Sequence, residues 1–150
     1  MLQKAVKILS DVEVNSWTSN QHEFNGVTQM KQLFGTKKQY FNANFVYMSN
    51  AGIESMETGS LTWYDARENH PYRTEYRLYY DSTLPLRKAR AGDTLLITPG
   101  SSGRVNVFII ARGTQLADFL ESLTGQIGTD CYIVTDSHDI RAIENFLPEI

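Results

Sequence analysis

YFNANFVYM (40–48), SLTWYDAR (60–67), RTEYRLYYD (73–81), DTLLIT (93–98) and RVNVFIIA (104–111) form the stretch that decides the fold. Each segment is short and rich in aromatic and β-branched residues, the side chains that a pleated surface packs best. The intervening SNAGIESMETG, ENHP and TPGSSG carry turn chemistry, and LPLRKARAG reads as a loop. Strands at this spacing predict a sandwich or barrel rather than βαβ units. KAVKILSDVEV near the start offers a further strand, and CYIVT (131–135) another.

Three helices are predicted around these strands. GVTQMKQLFG (26–35) is short, with Val27, Met30, Leu33 and Phe34 on one face and Gly35 as its stop. TQLADFLESLTG places Leu116, Phe119, Leu120 and Leu123 in one stripe, between a capping Thr114 and a terminating Gly125. DSHDIRAIENFLP opens with Asp136 and Asp139 at capping-box spacing and stops at Pro148. The 150 residues contain no internal repeat or linker, so the expectation is one α+β domain over 1–150.

Composition narrows the function classes. Hydrophobic residues make up 41% and charged residues 21%, the balance of a globular chain. The longest apolar run, Val107–Ala111, is far short of the roughly 20 residues a membrane helix needs, so no membrane partner is expected. The opening MLQKAVKILSDVEV interrupts its apolar residues with charges and is not expected to act as a signal peptide. A single cysteine, Cys131, excludes an internal disulfide and points to a reducing, intracellular setting. The net charge of −3 conceals an asymmetry. Residues 1–114 hold thirteen Lys/Arg against ten Asp/Glu, whereas 115–150 hold Arg141 alone against seven acids. A basic body of this kind suits a polyanionic partner, although acidic helices facing water explain the tail equally well.

Familiar catalytic patterns are missing. The chain has no P-loop, no GxGxxG and no GxSxG elbow. His22, His70 and His138 are scattered without cysteine pairs, which argues against zinc. No acid is followed two places later by lysine, the pairing common in metal-dependent nucleases. Asp130, Asp136 and Asp139 flank a strand and offer oxygen ligands for magnesium. The capping role of Asp136 and Asp139 is the stronger reading, so a magnesium nuclease built on these acids stands as an alternative. A β-barrel binding a protein or small ligand is the other.

The positive signal lies in 73–81. Strand alternation places Arg73, Glu75, Arg77 and Tyr79 on one face and Thr74, Tyr76, Leu78 and Tyr80 on the other. Arg–Glu–Arg in a row suits base edges, since arginine forks onto guanine and a carboxylate accepts from the cytosine amine. An exposed salt-bridge ladder fits the same spacing equally well. Lys31, Lys37 and Lys38 around the short helix, and Arg87, Lys88 and Arg90 in LPLRKARAG, are candidates for phosphate contacts. Asn20, Gln21, His22, Glu23 and Asn25 in WTSNQHEFNG (17–26) add donors and acceptors that suit bases or an ordinary loop.

Together these segments resemble the amino-terminal effector-binding, DNA-recognition domain of EcoRII-type restriction endonucleases, which shares a pseudobarrel with plant B-three domains. That family carries a His-Gln loop before a short helix ending in Leu-Phe, and Arg-Asn-Glu-x-Arg on a strand. Here the counterparts are His22-Glu23, Leu33-Phe34 and Arg73-Thr74-Glu75-Tyr76-Arg77. The order of loop, helix and strands matches across most of residues 15–125. The resemblance implies a mostly antiparallel β pseudobarrel with two or three flanking helices, gripping double-stranded DNA in the major groove with two arms. His22 and Glu23 would sit on the first arm, and Arg73, Glu75 and Arg77 on the second. It further implies a short GC-bearing site of the CCWGG type and a cytoplasmic bacterial or archaeal restriction enzyme. In such an enzyme this chain would be a non-catalytic domain without cofactor, fused to a separate nuclease domain that uses magnesium. Glu23 in place of glutamine and Thr74 in place of asparagine leave the exact target open.

Overall fold

A computed structural model describes residues 3–15, 22–24, 27–125 and 131–150. Strands β1 (Lys4–Ile8), β2 (Glu23–Phe24), β3 (Gln39–Ser49), β4 (Gly52–Asp65), β5 (Tyr76–Tyr80), β6 (Thr94–Pro99), β7 (Val105–Ile110) and β8 (Tyr132–Val134) join in one sheet. Their spatial order is β2-β5-β4-β3-β7-β6-β1-β8, and the sheet curls into a half-barrel. Every ladder is antiparallel except β3 against β7. The helices among the described residues are α1 (Asp11–Val14), α2 (Lys31–Phe34), α3 (Leu84–Lys88), α4 (Gln115–Thr124) and α5 (Ser137–Phe146), with a 3-10 turn at Thr28–Met30 leading into α2. The α+β, mostly antiparallel expectation holds.

The pleat sorts strand residues between two cores. Ala5, Phe45, Leu61, Trp63, Leu78, Leu95, Ile97, Val107 and Ile109 fill the inside of the half-barrel. Their sequence neighbours Val6, Val46, Leu96, Phe108 and Ile110 point the other way, beneath Leu116 and Leu120 of α4 and Ile140 and Ile143 of α5. Strands covered on both faces read as continuous apolar runs, whereas β4 and β5 alternate because helices leave their outer face bare. Thr114 caps α4 by accepting from the Ala117 N–H at 3.2 Å, and Asp136 caps α5 by accepting from the Asp139 N–H at 3.0 Å. Both helices thus begin where expected.

Four segments differ from expectation. KAVKILSDVEV is a strand only over Lys4–Ile8, and its Asp11–Val14 is helical. SNAGIESMETG is not a turn beyond Asn50 and Ala51, for β4 starts at Gly52. Its mostly exposed polar residues are held extended by pairing with β3, from Ser49↔Gly52 to Asn44↔Thr58. LPLRKARAG is helical at its start, because Pro85 suits a first turn and the Glu57 carboxylate accepts the Leu84 N–H at 2.7 Å. The strand expected over 73–81 begins only at Tyr76. Ahead of it, His70 Nδ1 accepts the N–H groups of Tyr72 (3.1 Å) and Arg73 (3.0 Å), which bends the chain. Asp65 Oδ1 likewise accepts from Arg67 and Glu75. Arg73 therefore lies in a loop, and Thr74 is exposed rather than core-facing.

One charged pair sits inside the half-barrel. Lys7 Nζ meets Glu13 Oε1 at 2.8 Å with both side chains 1% exposed, and the same oxygen accepts the Ser10 N–H at 2.9 Å. Removing one partner of such a pair strands the other charge at a cost of about 3–5 kcal/mol.

Trp63 ties the short helix to the sheet. Its indole N–H donates to Gly35 O at 2.9 Å, and its ring stacks on Tyr76 with centroids 5.0 Å apart. Trp63→Ala should cost about 3–5 kcal/mol in chemical denaturation. It should also raise amide hydrogen exchange over residues 31–38 before the rest of the sheet opens.

Candidate nucleic-acid interface

The outer face of β2, β5 and β4 brings together residues that are far apart in sequence. Pairing aligns Glu23 with Tyr79, Tyr79 with Thr62, and Arg77 with Tyr64. Phe24 and Leu78 turn inward, so Glu23 and Arg77 share the opposite face. There the Tyr64 hydroxyl donates to Glu23 Oε2, and Arg77 Nη1 approaches Glu23 Oε1 at 3.4 Å. Arg77 Nη2 bonds Glu75 Oε2 at 2.9 Å, and Arg67 Nε lies 3.7 Å from the same oxygen. Of the Arg73–Glu75–Arg77 ladder that spacing offered, the Glu75–Arg77 pair is present, while among the described residues Arg73 forms no ion pair; Arg67, Glu23 and Tyr64 join instead, which spacing did not reveal.

Protonation follows from this geometry. Burial and the hydrogen bond to Glu23 push the Tyr64 hydroxyl up to about 12. Partial burial opposes the charge on Arg77, but the Glu75 and Glu23 carboxylates outweigh it and hold the guanidinium above its ordinary value. The backbone N–H of Glu75, with that of Arg67, holds the Asp65 carboxyl below its usual range.

The lysine-bearing segment docks beside the same loop. The Tyr76 hydroxyl donates to Thr36 O at 3.1 Å, and the Gln39 side-chain amide donates to Phe34 O. Lys31 Nζ lies 4.7 Å from the Tyr76 ring centre and Lys38 Nζ 5.5 Å from that of the exposed Tyr40, within cation–π range. Lys37 is exposed. Lys31, Lys37 and Lys38 therefore gather at the end of the half-barrel that carries Arg67, Arg73 and Arg77.

Other expected site residues lie elsewhere. His22 stacks on Tyr80 (5.7 Å, 15°) and helps line a cavity of about 270 Å³ with Glu13, Tyr80, Ser82, Leu86 and Arg87. Arg87, Lys88 and Arg90 flank a different cleft, towards Tyr47. Asn20, Gln21, Asn25 and Asp130 fall outside the described residues. Carboxylate and imidazole atoms of Asp136, His138 and Asp139 lie within 4.8 Å of one another, on an exposed helix start whose cap already employs Asp136. Cys131 is buried, as expected. Tyr64 and Arg67 went unnoticed in the sequence. The alternation of SLTWYDAR around the inward Trp63 was the available signal for Tyr64.

A Tyr hydroxyl raised from 10.0 to about 12 favours the neutral form in the folded state. Its contribution to stability is complete below pH 10 and is lost as the pH climbs from there through 12. Denaturation midpoints across this window should fall for the wild type and fall less for Tyr64→Phe. Tyr80, pushed up to about 12 by burial and Glu13, keeps its own share in both.

No protein-family model matches the chain, and no curated protein sequence matches it. Among solved structures it is similar to the N-terminal domain of Helicobacter pylori LlaJI.R1, a restriction enzyme N-terminal domain. The superposition has a TM-score of 0.61 at 11% identity and covers 90% of this chain and 99% of that one. The half-barrel described above thus shares its fold with that domain.

Proposed function

We propose that this chain is a sequence-specific double-stranded DNA-binding domain, the non-catalytic recognition part of a type II restriction endonuclease. The observation that carries the reading is the gathering of six cationic side chains at one end of the half-barrel. Trp63 and Tyr76 bond the segment bearing Lys31, Lys37 and Lys38 beside the loop bearing Arg67 and Arg73 and the start of β5, which carries Arg77. The likeness in fold to a restriction enzyme N-terminal domain supports the same reading.

In this proposal the lysines contact phosphates and set the register, while Arg73, Glu75 and Arg77 read bases in the major groove. Glu75 and Glu23 hold the Arg77 guanidinium in place before DNA arrives, which lowers the ordering cost of the contact. His22, with Asn20 and Gln21 ahead of it, belongs to a first arm. Glu23 supports the second arm through Arg77 as well as belonging to the first. The target is a short GC-bearing site of the CCWGG type, and a separate magnesium-dependent nuclease domain cuts the DNA.

Selection of sites from a random duplex pool tests the reading. Enrichment of one short sequence by the wild type is the expected result, and binding without preference would refute it. Arg73→Ala and Arg77→Ala should each cost about 1–3 kcal/mol on the selected duplex and less on others. Glu75→Ala should change the selected sequence, whereas a pure surface ladder predicts the same sequence as wild type.

Lys37→Ala and Lys38→Ala should behave differently. Each should weaken selected and unselected duplexes alike and reduce the slope of log affinity against log salt by about one. A loss confined to the selected duplex would assign that lysine to base reading.

A further inference from the structure

A second basic surface lies at the opposite end of β3 from Lys37 and Lys38. Two loops meet there, one joining α3 to β6 and the other joining β7 to α4. The buried Asp93 clamps them together. Its Oδ2 accepts the Arg90 N–H at 2.9 Å, and its Oδ1 accepts the Arg112 N–H at 3.0 Å. The arginine side chains take no part in these bonds, so the clamp positions their backbones and leaves their guanidinium groups available.

Arg112 is further shaped by Gly92. At φ +93° this glycine adopts a conformation that other residues rarely reach, and a Cβ there would sit 3.2 Å from Arg112 Cδ. The Arg112 side chain occupies the space a larger residue would take. Arg87, Lys88, Arg90 and Arg112 together line an open cleft of about 650 Å³, alongside Tyr47 and Glu54. All four cations are exposed, and among the described residues none forms an ion pair. Of the two acids in the cleft, Asp93 has both oxygens engaged by backbone N–H groups. Burial and the neighbouring Asp93, to which it hydrogen-bonds, hold the Tyr47 hydroxyl above its ordinary value.

We propose that this cleft is a second phosphate-binding surface, which grips the backbone of the DNA duplex away from the base-reading loop and uses Arg112 as a contact. The inference rests on the DNA-binding reading and extends its footprint. β3 carries the chain from Gln39, beside the lysine segment, to Tyr47 at the cleft. Eight residues at about 3.3 Å each separate the two surfaces by roughly 26 Å. At about 3.4 Å per base pair, this equals some eight base pairs of duplex. The occupant is a polyanion with regularly spaced phosphates, because four cations stand together around an open cleft whose lining is more polar than apolar.

The test compares wild type with Arg90→Ala/Arg112→Ala on a 25-base-pair duplex and on inorganic polyphosphate, titrated over a range of salt. The double variant should lower the salt slope on the duplex by about two, and Arg90→Lys/Arg112→Lys should restore most of it. Both variants keep the backbone N–H groups that Asp93 holds, and thermal melting checks that they fold. An unchanged slope on the duplex overturns the proposal, even if polyphosphate binding is lost. Should the wild type bind no duplex at all, the DNA reading fails. Loss of polyphosphate binding in the double variant would then identify the cleft as a phosphate site for another ligand.

Discussion

The sheet depends on the parallel ladder between β3 and β7, the one parallel pairing among the described residues. On one side of it stand β4, β5 and β2, and on the other β6, β1 and β8, each group antiparallel within itself. At this seam Phe45 lies opposite Val107 in the inner core, while Val46 lies opposite Phe108 beneath the helices. Asn44 Nδ2 donates to Asn106 Oδ1 at 3.0 Å, closing the polar end of the same ladder. Both apolar cores cross the seam, so neither half of the sheet can bury its own faces without the other. The helices α4 and α5, packed over Val46 and Phe108 at the seam, therefore help to stabilise the strands of the candidate interface.

The sequence made much of this arrangement legible. Apolar runs and alternation located the strands, because burial on one or both faces leaves a direct imprint on residue type. Caps located the helices, since Thr114 and Asp136 satisfy N–H groups that any helix start leaves open. The outer part of β4 was hidden because Ser55, Glu57 and Thr58 are extended by the neighbouring β3, not by their own preference. The start of β5 was misjudged because two acceptors, His70 Nδ1 and Asp65 Oδ1, bend residues that alternate as a strand would. At the interface, Glu75 and Arg77 could be paired by local spacing. The link from Glu23 to Arg77 could not, because it crosses between strands 54 residues apart in the chain.

Acids among the basic residues shape the chemistry of the interface. A surface of uncompensated cations would hold any duplex through its phosphates. Glu23 and Glu75 offset the charge of Arg77 and repel phosphates that come near without compensating contacts. A partner must then supply directional acceptors to compete for the guanidinium, which favours base edges over backbone. Lys31, Lys37 and Lys38 lack such carboxylate partners among the ion pairs found, and two of them rest on tyrosine rings instead. In the proposed DNA-binding reading, general attraction and selective contact would thus fall to different side chains at one end of the same half-barrel.

The position of β1 has a consequence for how the chain reaches its folded form. This strand lies between β6 and β8, with Ala5 opposite both Ile97 and Ile133. Both neighbours are synthesised long after it, so β1 emerges from the ribosome early and waits for its partners. Contacts this distant in sequence form slowly and leave the waiting strand open to aggregation. Lys4 and Lys7 interrupt its apolar residues with charge during that interval, as gatekeepers do. Once folded, Lys4 bonds Thr98 Oγ1 at 2.8 Å and pairs with Glu144 at 3.3 Å, while Lys7 pairs with Glu13. The same two charges thereby become internal fastenings, and β1 completes its second ladder only when β8 has left the ribosome.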